Sequence, residues 1–225
     1  MENKRLTKTC KPTIGQSLQF SRLILPFFVV ISAMFLYGCR NGYEEPANNP
    51  MPDSLALKTG DLVFRTGRSV ASRSVTATDT GCIYSHVGMI VPYGRGWGVL
   101  HAVPNERESR HEKDSVKLEP VPLFFSPKRA VHGAVLRFSS LTDDDRLALC
   151  RKGLSVYRRH PLFDSSFNAD DSSAFYCTEL VWFIYLNAIN IDLTRNRRHT
   201  IPLLPPLIFC SDIINCPGLE KVFIF

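Results

Sequence analysis

The chain has 225 residues and a formal charge of +6, and its first 38 residues hold five of the basic groups (Lys4, Arg5, Lys8, Lys11, Arg22) and one acid, Glu2. The remainder carries 22 Lys+Arg against 20 Asp+Glu, so the basicity belongs to the N-terminus and argues against a nucleic-acid partner. A hydrophobic content of 44% with 24 aromatic residues excludes an intrinsically disordered chain, and the 187 residues after position 38 suit a single domain.

Residues 1–22 are basic and polar, and residues 23–36 (LILPFFVVISAMFL) are uncharged and apolar. Fourteen helical residues cover about 21 Å, short of the ~30 Å of a bilayer's hydrocarbon core, which fits a secretory signal peptide better than a retained anchor helix. Leu36-Tyr37-Gly38-Cys39 resembles the lipobox of bacterial lipoproteins. That resemblance implies cleavage before Cys39 and acylation of its thiol and amine, holding the protein on a membrane surface without spanning it. Residues 40–55 (RNGYEEPANNPMPDSL) read as a tether. The expected organisation is therefore a signal peptide over 1–38, a tether over 39–55 and a folded domain over 56–225. The expected location is the periplasmic side of a bacterial envelope, with Arg40 rather than Asp after the lipid site favouring an outer membrane.

In the domain, a Gly60-Asp61 turn leads into an apolar strand ending near Arg65, and the Ser/Thr/Arg-rich stretch 67–80 reads as a surface loop. Residues 85–91 (SHVGMIV) and 98–103 (GVLHAV) are strand-like and joined by a hairpin connection. Residues 105–114 are charged and expected to be exposed; 131–138 (VHGAVLRF) reads as another strand. Thr142 caps a helix whose first turn holds Asp143, Asp144 and Asp145, with Leu147, Cys150, Leu154 and Tyr157 expected along its buried side. Pro161 stops it, and a second, strongly apolar helix is expected over 177–190 (CTELVWFIYLNAIN). Strands followed by two helices predict an α+β domain.

Five cysteines fall in the domain: Cys82, Cys150, Cys177, Cys210 and Cys216. The odd count leaves one thiol over in an exported protein, and no spacing marks a structural zinc site. Cys82 and Cys150 are expected as buried thiols, while Cys210 and Cys216 could pair.

Cys177 opens the second helix, where unpaired backbone N–H groups and the helix dipole lower a thiol pKa and can hold an oxyanion. A four-residue turn, 92–95, pairs Val91 with Gly96 and sets His86 directly opposite His101 on one sheet face. A base beside a thiol, oriented by a third polar group, is the general form of an activated nucleophile. Cys177, His86 and His101 could also ligate zinc, but no fourth ligand is evident. Glu179, in the helix's first turn, reads as a residue complementing the dipole.

The segments LKTGDLVFR, YSHVGMIV, VLHAVP and FYCTELVWFIY, in that order, resemble the permuted papain-like amidases of the YaeF/YiiX group, within the NlpC-type superfamily of cell-wall cysteine peptidases. The resemblance runs from about Leu55 to Phe225 and takes in PLFD at 161–164. It implies a circularly permuted papain-like (NlpC-type) fold, an antiparallel sheet packed against helices. Cys177 would be the nucleophile, His86 the general base, His101 the third member and Asp164 a candidate cleft residue. Many relatives carry a carboxylate where this chain has His101. No cofactor is implied. The implied substrate is a cell-wall peptide or another small amide; an acyl lipid, as in relatives of the lecithin–retinol type, and a non-catalytic envelope binding protein are the alternatives.

Overall fold

The computed structural model describes residues 50–52, 55–106, 111, 113–169 and 171–225. The expected leader, the lipid site at Cys39 and most of the tether lie outside the described residues.

An eight-stranded sheet organises the domain. Its strands are β1 (Leu62–Gly67), β2 (His86–Tyr93), β3 (Gly96–Val103), β4 (Ser115–Pro120), β5 (Ala130–Phe138), β6 (Leu162–Phe163), β7 (Ala174–Phe175) and β8 (Leu219–Ile224), in the order β7-β6-β4-β3-β2-β1-β5-β8. Only the β6–β7 pair is parallel. Among the described residues, five helices accompany it: α1 (Val70–Thr78), α2 (Val121–Phe124), α3 (Asp143–Tyr157), α4 (Cys177–Ile189) and α5 (Cys210–Ile214). Mixed α+β architecture is thus observed. Among the described residues, no helix is long and apolar enough to cross a membrane.

Alternation along the strands gives the sheet two apolar faces. Leu62, Phe64, Val87, Met89, Leu100 and Ala102 pack with Leu149 of α3 and Leu180 and Ile184 of α4. Val63, Ile90, Val99 and Val135 point the other way, against Val121, Phe124 and Phe125.

α3 has the expected cap: Thr142 Oγ1 accepts from Asp145 N at 3.2 Å, while the Asp145 carboxylate accepts from Thr142 N at 2.9 Å. Its buried stripe is rotated from the expected one, running through Leu149, Gly153 and Val156 and leaving Leu147 exposed. Gly153 sets that rotation. A Cβ there would stand 2.9 Å from Leu100 Cδ2 and Met89 Cε, so the helix sits on the sheet by its glycine.

The stretch expected as a loop after Gly67 contains α1 instead. Ser69 caps it, and the hydroxyls that suggested a loop bond back to carbonyls one turn earlier, as from Thr78 Oγ1 to Ser74 O at 2.9 Å. None of its residues is buried. The five cysteines of the domain are free thiols; Cys82 and Cys150 are only half-buried, and the expected option of a Cys210–Cys216 bridge is not taken.

Candidate active site

The β2–β3 hairpin turns more tightly than expected. Tyr93 pairs with Gly96 across Gly94-Arg95, with Gly94 at φ 58°, the left-handed geometry a two-residue hairpin loop requires. Val91 therefore pairs with Gly98, two residues from the expected register. A shift of two preserves which face each side chain occupies. His86 and His101 accordingly share a face but sit diagonally rather than opposite, with His86 Nε2 2.8 Å from His101 Nδ1. Gly88 makes the contact possible, since a Cβ there would lie 3.1 Å from His101 Cβ and 2.4 Å from Val99 Cγ1. Phe124 forms the common wall, its ring centroid 5.7 Å from that of His86 and 5.2 Å from that of His101.

A second diagonal step leads to a residue that sequence reasoning missed. β3 pairs His101 with Lys117 and Val99 with Glu119, so Glu119 stands two residues along from the position opposite His101. His101 Nε2 lies 3.2 Å from Glu119 Oε1, an ion-pair contact off the ideal hydrogen-bond line, and makes no hydrogen bond to another group. Arg129 Nη1 grips both Glu119 oxygens at 3.0 and 2.8 Å and reaches Glu106 Oε2 at 2.8 Å. Arg65 also pairs with Glu106, donates to Phe124 O at 2.7 Å and stacks 4.5 Å over the Phe124 ring. Glu106 thus lies in a buried network, although residues 105–114 were expected to be exposed.

These charges decide protonation. Burial raises the Glu119 pKa, but the contact with His101 Nε2 and the Arg129 and Arg65 guanidiniums outweigh it and hold the carboxyl below the usual carboxylate range. Burial dominates at His101 and lowers its pKa despite Glu119, so its ring is neutral at pH 7.

Cys177 reaches the start of β2 from α4, which covers the other face of the sheet. Two hydrogen bonds stitch the start of α4 to the approach to α5: Thr178 Oγ1 donates to Ile208 O at 2.8 Å, and Ile208 N to Tyr176 Oη at 3.1 Å. They bring Cys210 to Cys177. The Cys177 thiol is held well below the ordinary range, first by the hydrogen bond from the Cys210 thiol and then, against burial, by His86 and the Val87 N–H. Cys210 moves the other way and stays a neutral donor. The arrangement can present a thiolate at neutral pH beside an imidazole and a helix N-terminus.

The other expected residues have structural partners. Asp164 accepts from Ser166 N at 2.8 Å, Ser166 Oγ at 2.6 Å and Asn168 N at 2.6 Å, holding the loop before β7. Glu179 accepts from Tyr176 N at 3.1 Å, but burial, with Asp164 and Asp171 adding, pushes its pKa up to about 9. It is therefore neutral at pH 7, not the negative charge expected to complement the dipole.

No protein-family model matches the chain. It is 29% identical over 145 residues to the uncharacterized protein YiiX of Escherichia coli (strain K12), covering 63% of each chain. The crystal structure of metalloprotein YiiX from Escherichia coli O157:H7 superposes with a TM-score of 0.60 at 22% identity, over 74% of this chain and 96% of that one. The chain is YiiX-like. The sequence match spans less than two thirds of YiiX, and the structural likeness establishes a shared fold.

Proposed function

We propose that this YiiX-like chain is a cysteine hydrolase of amide bonds with a permuted papain-like active site, in which Cys177 is the nucleophile and His86 the general base. The observation that carries the reading is the position of Cys177 at the N-terminus of α4, beside a His86 ring that is itself 2.8 Å from His101. In the reaction, His86 takes the thiol proton and the Cys177 sulfur attacks the amide carbonyl. The Cys177 backbone N–H stabilises the oxyanion, His86 protonates the leaving amine, and water then cleaves the thioester. The substrate class is a cell-wall peptide or a similar small amide. The protein works at the bacterial envelope, held there by acylated Cys39.

The E. coli protein of that structure is described as a metalloprotein. Here His101 directs Nδ1 at His86 and Nε2 at Glu119, and among the described residues no three His, Cys, Asp or Glu side chains converge on a metal position. The described residues do not fit a metal centre.

The test is alkylation of Cys177 by iodoacetamide across pH, read by mass spectrometry on the full-length chain, followed by hydrolysis of defined peptidoglycan fragments and acyl lipids. Wild-type Cys177 is expected to react as a thiolate well below pH 8.5, and His86→Ala to lose about tenfold or more of that rate at neutral pH. An ordinary thiol titration indifferent to His86 would make Cys177 structural and sink the reading.

A further inference from the structure

We infer that Glu119 is a positioning residue for the base: acting through His101, it fixes the tautomer of both imidazoles and so decides which nitrogen of His86 is left bare to take the thiol proton. The inference rests on the hydrolase reading and adds a carboxylate, two strands from the base, to its relay. An ionised carboxylate only accepts hydrogen bonds, so the His101 nitrogen facing Glu119, Nε2, carries that ring's proton. Neutral His101 then has a bare Nδ1. The 2.8 Å contact closes as a hydrogen bond only if His86 Nε2 donates to that Nδ1. His86 Nδ1 is left as the one ring nitrogen free to accept the Cys177 proton.

The reverse tautomer disables the site. If His101 carried its proton on Nδ1, His86 Nε2 would have to accept it and His86 Nδ1 would be the protonated nitrogen. Such a ring cannot take the thiol proton. Glu119 disfavours that state because it would leave a bare Nε2 lone pair facing a carboxylate 3.2 Å away. Arg129 keeps the carboxylate in place and ionised, and Glu106 and Arg65 brace Arg129 in turn.

Geometry makes the device a property of the sheet. His86, His101 and Glu119 lie on three successive strands, each displaced two residues from the position opposite its neighbour. Diagonal neighbours on one face are within reach of long and aromatic side chains. The Phe124 ring closes over both imidazoles, so the rings cannot swing to other partners.

Nitrogen-15 NMR of the full-length chain labelled at histidine reads the tautomers directly, in wild type and Glu119→Gln, beside the pH profile of Cys177 alkylation. Wild type is expected to show both His86 and His101 protonated at Nε2. Glu119→Gln is expected to populate the Nδ1-protonated form of His101 and to lower Cys177 alkylation at pH 7 by about tenfold or more. Glu119→Asp, which keeps the acceptor, should retain the wild-type tautomers. If Glu119→Gln fails to fold, the wild-type tautomers still decide, and a wild-type His101 protonated on Nδ1 would overturn the inference. So would an unchanged alkylation profile in folded Glu119→Gln. Should wild-type Cys177 alkylate as an ordinary thiol, the hydrolase reading and this inference fall together; a reactive wild type with an indifferent Glu119→Gln removes the inference alone.

Discussion

The two long helices, α3 and α4, begin in opposite ways. At α3 the exposed N-terminus is saturated: Thr142 and Asp145 satisfy each other's backbone donors, and Asp143 and Asp144 add charge where the dipole favours it. The Asp145 carboxyl is held below its usual range by the Thr142 hydroxyl and N–H. At α4 the corresponding carboxyl, Glu179, is buried and neutral, and no hydroxyl caps the helix. The positive end of α4 is left for the sulfur of Cys177. The start of α3 uses up its own electrostatic potential, whereas the start of α4 keeps that potential uncompensated, as the proposed chemistry of Cys177 requires.

The largest test of that contrast concerns the thiol. Cys210→Ala removes the neighbouring thiol that does most to stabilise the Cys177 thiolate, so the alkylation profile should move to higher pH, with reactivity at pH 6–7 falling about three- to tenfold. An unmoved profile would assign the shift to His86 and the helix alone. A smaller effect is expected in stability at Glu179. Its folded pKa is raised above the unfolded value, so the stability it contributes is complete below about pH 4.5 and is lost as pH rises toward about 9. Glu179→Gln can still accept from Tyr176 N without ionising. The Tm advantage of the variant should therefore grow between pH 5 and pH 9, by about 2–4 °C for each kcal/mol gained. A constant difference across that range would mean that Glu179 is charged in the folded protein.

The smallest effect belongs to α3. Thr142→Ala should lower Tm by about 2–4 °C through loss of the cap and leave the Cys177 alkylation profile unchanged. Any shift in thiol reactivity would show that the two helix starts are coupled, contrary to the contrast drawn between them.

What could be read in advance follows from how local each signal is. The limits of α3 and α4 are legible because caps, carboxylates and an apolar run lie in consecutive residues. The shared face of His86 and His101 survived a wrong turn length because a two-residue slip conserves parity. Glu119 was invisible. It sits on β4, a six-residue strand after a charged stretch, and its role exists only through the pairing of β3 with β4. Cys210 was equally silent, since nothing in its neighbourhood indicates that hydrogen bonds at Ile208 draw it to the start of α4. α1 was misread because its serines and threonines turn their hydroxyls onto their own helix.

The diagonal relay also orders the assembly of the site in time. His86 and His101 are only 15 residues apart and are joined by a tight hairpin, so their contact costs little loop-closure entropy. Glu119 follows on the next strand. Cys177 arrives only after β5 and α3, across a far longer loop, and Cys210 later still. Because contacts of short sequence separation form first, the proton-handling half of the site can exist before the sulfur reaches it. On the proposed hydrolase reading, a partly folded chain then holds a base without a nucleophile, and the reactive thiol is generated only as the last helices dock.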